Sequence, residues 1–87
     1  MAQVRLPAAL VTLFPGTPRR LELPGATVLE VLDALAVRVP GTRDRLLSAG
    51  PDLREHLRVF VDGEAARLET PVRASSTVEV VLAVSGG

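Results

Sequence analysis

The residues of this chain best suited to chemistry stand at its end, Ser85-Gly86-Gly87. Gly87 would carry a carboxylate with no Cβ beside its carbonyl, so a nucleophile and a phosphate group can approach it together. Gly86 permits backbone dihedrals closed to other residues, which suits a segment threading a narrow channel. Ser85 is small enough to follow, and Val84 is the candidate hinge between a folded body and the tail. A carboxylate is a poor electrophile, so acyl chemistry there first needs a better leaving group. The tail must also be accessible, because a terminus packed on its own domain could not reach another protein's active site. A frayed end is the plain alternative for the same three residues.

Elsewhere the residue types exclude more than they offer. The sequence has no cysteine, which removes disulfides, thiolate metal sites, iron–sulfur clusters and cysteine nucleophiles together. His56 is the single histidine, has no catalytic partner at meaningful spacing, and reads as a loop or strand-edge residue. Glu30 and Asp33 resemble a carboxylate pair, but Glu30 is better placed as a helix cap. There is no phosphate loop, metal-ligand cluster or triad, so no metal or other cofactor is expected on this chain. These residue types suit a substrate more than an enzyme, and no enzyme is expected. All ten cations are arginine, so no side chain can form a Schiff base or accept an isopeptide bond. Codon usage in a GC-rich genome suffices to explain that bias.

Ten acidic residues balance the arginines and are interspersed with them. No basic stripe for nucleic acid or an anionic membrane is present. No apolar run approaches the roughly 20 residues that span a bilayer. Ala8 to Phe14 follows one arginine and ends at Pro15-Gly16 without a cleavage pattern, so it is a poor signal peptide. A cytoplasmic protein is expected. At 87 residues the chain is long enough for one domain, 1–87 with a tail at 84–87. A domain this small buries only roughly 60–65% of its extended surface and has no room for a deep pocket.

The elements that must position the tail follow from periodicity. Val4-Arg5-Leu6 alternates as a half-buried strand does, and Pro7 ends its ladder. Ala8 to Phe14 is either a loop with a short turn or a strand continuation. Arg19 to Leu23 alternates again between Pro18 and Pro24-Gly25. Thr27 and Glu30 have capping-box spacing. Val28, Val31, Leu32, Leu35 and Val39 then recur at helical spacing up to Pro40-Gly41. Thr42 to Ala49 is a candidate short helix. Leu57 to Val61 alternates into the hairpin signal Asp62-Gly63, with Ala65 to Leu68 returning. Thr77 to Ala83 forms the last strand. Five strands and one main amphipathic helix bury both apolar faces only if the helix crosses the sheet, an α+β arrangement.

This order resembles the β-grasp, or ubiquitin-like, fold. Ser76-Thr77, Val81-Leu82 and Gly86-Gly87 match the end of ubiquitin without gaps. Val59-Phe60-Val61-Asp62-Gly63-Glu64 is similar to the hairpin of the MoaD/ThiS sulfur carriers, and Ala83-Val84-Ser85-Gly86-Gly87 to their usual ending. Leu6-Pro7, the segment Thr42 to Asp52 and Arg67 look most like the CysO members. The chain departs from the family at Ala74-Ser75-Ser76, where Asp-Gly-Asp is frequent, and at Leu82, where proline is.

The resemblance implies a sulfur carrier. An E1-like adenylating and sulfurtransferase enzyme, using ATP and magnesium, would activate the Gly87 carboxylate. A persulfide or sulfide would then displace AMP to leave a thiocarboxylate. The remaining implied partners are a sulfur-accepting biosynthetic synthase, in a cysteine, cofactor or specialised-metabolite pathway, and a metalloprotease-type peptidase that processes the tail. Two other readings use the same residues: a modifier joined through Gly87 to target lysines, and a non-covalent interaction domain.

A docking face follows from alternation combined with the resemblance. Leu57, Val59 and Val61 should share a face with Val78, Val80 and Leu82 against the helix. Phe60, Arg58, Val81 and Ala83 then lie opposite and are candidates for partner binding, with Phe60 beside Val81 as a docking anchor. The competing arrangement covers Phe60 with a loop such as Ala8 to Phe14. Arg58 and Arg73 could pair with an acidic activating enzyme.

Overall fold

Alternation and capping chemistry both materialise in the structure, a computed structural model that describes residues 1–46 and 57–82. The element order is β1 (Ala2–Arg5), α1 (Ala8–Leu13), β2 (Arg20–Leu23), α2 (Val28–Arg38), α3 (Thr42–Leu46), β3 (Leu57–Val61), β4 (Glu64–Ala66) and β5 (Thr77–Leu82). The strands form one mixed sheet in the order β2-β1-β5-β3-β4. The two central strands, β1 and β5, run parallel, while β1–β2, β3–β5 and β3–β4 are antiparallel. With α2 packed across one face, this is the β-grasp arrangement expected of the sequence.

Helix α2 begins where its side chains can satisfy orphan amides. The Thr27 hydroxyl accepts from the Glu30 amide at 3.3 Å. The Glu30 carboxylate accepts from the Ala26 amide at 3.2 Å, one residue beyond the Thr27 amide a capping box uses. Its stripe Val28, Val31, Leu32 and Leu35 is buried. Each such aliphatic side chain contributes about 1.5–3 kcal/mol relative to exposure. Facing it are Val4, Leu21, Leu23, Leu57, Val59, Val61, Val78 and Val80, the inward residues of four strands. Leu82 packs against the rim of the same core.

Three local expectations need correction. Ala8 to Phe14 is neither loop nor strand: α1 occupies Ala8–Leu13. Its Leu10 is buried in the core and Val11 and Phe14 pack on it, so tertiary burial imposes a helix that lacks a side-chain cap. The strand returning from the hairpin is Glu64–Ala66, earlier than Ala65 to Leu68. Asp62 (φ 51°) and Gly63 (φ 85°) make a two-residue turn with both φ values positive, so pairing resumes at once with Val61 opposite Glu64. Leu68 instead turns its carbonyl to the Leu29 amide at 2.9 Å, holding the segment after β4 to the start of α2. Finally, β1 is Ala2–Arg5, so Leu6 lies past the strand, buried in the core with its amide donating to the Arg19 carbonyl at 2.8 Å. The expected short helix after Pro40-Gly41 covers Thr42–Leu46; the remainder of Thr42 to Ala49, and His56, lie outside the described residues.

Candidate functional site

The sequence places the reacting group beyond β5. Gly87, Gly86, Ser85, Val84 and Ala83 lie outside the described residues. What the structure positions is their point of departure. Strand β5 is flanked by β1 and β3, so the chain leaves from the middle of the sheet, with Leu82 opposite Leu57. β1 pairs with β5 as far as Glu79, and β3 alone pairs with its last residues through Leu57 opposite Leu82.

The face of the sheet away from α2 carries the remaining site candidates. In the β3–β5 ladder, Phe60 pairs with Glu79 and Arg58 with Val81. Phe60 and Val81 therefore stand on the same face as diagonal neighbours, within reach of an aromatic side chain. Both are half-buried, and neither belongs to the core beneath the helix. Helix α1 is packed into that core through Leu10. Arg58 is exposed along its length, and its guanidinium donates to the Leu57 carbonyl at 2.9 Å. Arg73 lies in a turn closed by Ser76, whose hydroxyl accepts from the Arg73 amide at 3.0 Å, and it is not on a strand of this face.

Register adds residues that periodicity alone does not bring together. Arg5 is opposite Arg20 on β2 and in step with Glu79 on β5, so one row reads Arg20, Arg5, Glu79, Phe60, Ala65 across the sheet. At the end of this row the first residues of α1, the last residues of β5 and Arg19 enclose a groove of about 530 Å³. Its lining includes the cationic Arg5, Arg19 and Arg20 and the apolar Pro7, Val81 and Leu82. No group of His, Cys, Asp or Glu suited to a metal occurs among the described residues. No described helix is long and apolar enough to cross a membrane.

Strand β5 thus ends beside a face that carries both apolar and cationic residues. Comparison with known proteins shows the family. The model of the ThiS family matches residues 4–87. The chain belongs to the ThiS family. Among solved structures, a chain of the Amycolatopsis orientalis BexX/CysO complex is 32% identical, with a TM-score of 0.89 and full coverage of both chains. Haloferax volcanii SAMP1 is 31% identical with a TM-score of 0.80, covering 99% of this chain and 98% of that one. Mycobacterium tuberculosis CysO, at 22% identity and a TM-score of 0.87, shares the fold over 97% of this chain and all of its own. Compared by sequence with curated proteins, the chain has no match. This ThiS-family chain thus has the ubiquitin-like sulfur-carrier fold in its CysO-like form.

Proposed function

We propose that this protein carries sulfur as a thiocarboxylate on Gly87. The observation that carries the proposal is a ThiS-family match running through the terminal glycines. One carboxylate oxygen of Gly87 would attack the α-phosphorus of magnesium-bound ATP on an E1-like partner, expelling pyrophosphate. Sulfide would then attack the acyl adenylate carbonyl; a partner's persulfide would instead give an acyl disulfide through its terminal sulfur, and a second thiol of the partner would attack the S–S bond, releasing the thiocarboxylate and leaving a disulfide on the partner. The C–O bond to AMP breaks as the C–S bond forms, and AMP leaves as the anion. The chain contributes no catalytic side chain; it supplies an unhindered acyl group and a surface that brings the partner to it. Phe60, Val81, Arg58 and Ala83 form that surface, while Val84, Ser85 and Gly86 enter the partner's site. A biosynthetic synthase is the sulfur acceptor, and a metalloprotease-type peptidase would process the tail.

A second reading has support of its own. A protein named SAMP1, a small archaeal modifier protein, is 31% identical, and conjugation through Gly87 would require the same activation. Intact mass of the protein taken from its native cells separates the two. Replacement of one oxygen by sulfur supports the carrier, and large adducts cleaved after Gly87 support the modifier. A chain that shows neither, while a Gly86-Gly87 deletion leaves its cellular role intact, refutes both.

A further inference from the structure

We infer that the groove between the start of α1 and the end of β5 receives an extended acidic segment of the activating partner. The inference rests on the reading of this chain as a substrate of such a partner and names the part of it that docks here. Three arginines line it. Arg5 and Arg20 are directly opposite in the β1–β2 ladder, a like-charge placement that costs stability unless an anion relieves it. Arg19 is the next residue, held at the end of β1 by the hydrogen bond between its carbonyl and the Leu6 amide. Among the described residues, none of the three forms an ion pair. Arg43 and Arg67, by contrast, are paired with Asp33 and Glu69. Glu79 is the one carboxylate lining the groove, so the lining keeps an excess of positive charge.

The rest of the lining is apolar, including Pro7, Val81 and Leu82. An occupant that uses the whole lining combines carboxylates with aliphatic side chains, as an extended acidic peptide can on its two sides. A free phosphate would use the arginines and leave the apolar lining uncovered. Position argues for the activating partner. Leu82 lines the groove and stands five residues before Gly87, a reach of at most about 18 Å, so a protein that binds Gly87 comes close to this rim. Arginine suits the role because its planar fork binds carboxylates in two-point fashion.

The test uses the full-length chain and a short blocked peptide of alternating glutamate and leucine. In amide NMR titrations the peptide should shift Arg5, Arg19, Arg20, Val81 and Leu82 together, and the shifts should fade as salt rises. Arg19→Glu combined with Arg20→Glu, two exposed residues at the start of the edge strand β2, should weaken binding by about tenfold or more. Arg38→Glu, on the helix across the sheet, should not. With the activating enzyme, the same double variant should raise KM for the carrier by a similar factor and leave kcat unchanged. Peptide binding that survives Arg19→Glu with Arg20→Glu, or that spreads over all arginines equally, overturns the inference. So does a shift of the groove amides on deleting Gly86-Gly87 without peptide, which would assign the groove to the chain's own tail. If the wild-type chain is never adenylated yet binds the peptide in this groove, the carrier reading fails and the groove's chemistry stands alone.

Discussion

Replacing Gly25 by alanine tests how tightly the turn before α2 is built. Gly25 has φ +150°, a conformation that L-residues rarely adopt, and a Cβ there would lie 2.7 Å from both the Val31 backbone nitrogen and its Cγ2. The nitrogen cannot move without disturbing the first turn of α2, and Val31 is completely buried. Backbone strain of about 1–3 kcal/mol and overpacking of about 1–3 kcal/mol therefore act together. A loss of about 2–6 kcal/mol is large against a stability of about 4–13 kcal/mol for a chain of this length. The melting temperature should fall by about 10–50 °C. Gly63 supplies the control: it also has positive φ, at +85°, but nothing lies within 4 Å of a Cβ placed on it. Gly63→Ala should cost only the left-handed penalty, about 1–2 kcal/mol. Urea unfolding of both variants gives the comparison directly. Equal losses at the two sites, or a loss below about 1 kcal/mol at Gly25, would refute the steric argument.

Three further outcomes follow from the same geometry. Thr27→Ala removes the acceptor for the Glu30 amide and should lower stability by about 1 kcal/mol in chemical denaturation. Asp33→Asn breaks the pair with Arg43, whose side chains are both about half exposed, and should change stability by less than about 1 kcal/mol. Phe60→Ala should leave the core intact, because Phe60 lies outside it, yet raise KM for the activating enzyme by about 30-fold if it is the docking anchor.

What was legible in the sequence tracks what simple periodicity can encode. The β3 and β5 faces were readable because each strand alternates in step with its own burial, and α2 because its stripe and the Thr27–Glu30 spacing agree. Helix α1 was not, since six residues without a side-chain cap have no signal of their own; Leu10 is helical because the core beneath it is complete only with that residue inside. The end of β4 was misplaced for a related reason. Leu68 looks like an inward strand residue and is buried, but the backbone there bonds to α2 and not to β3. The tail's composition was visible directly as sequence. The arginine-lined groove was not, because Arg5 and Arg20 meet only through the antiparallel register of β1 and β2, and adjacent Arg19-Arg20 reads as ordinary surface charge until that register is known.

The account depends most on what happens at the last carboxyl group. The folded protein should be incubated with its adenylating partner, magnesium ATP and a sulfide donor, and the C-terminal peptide then weighed and fragmented. Sulfur in place of one oxygen on Gly87, absent when ATP is omitted, is the predicted result. An unchanged Gly87 carboxylate after the partner has demonstrably hydrolysed ATP in response to this chain would contradict it.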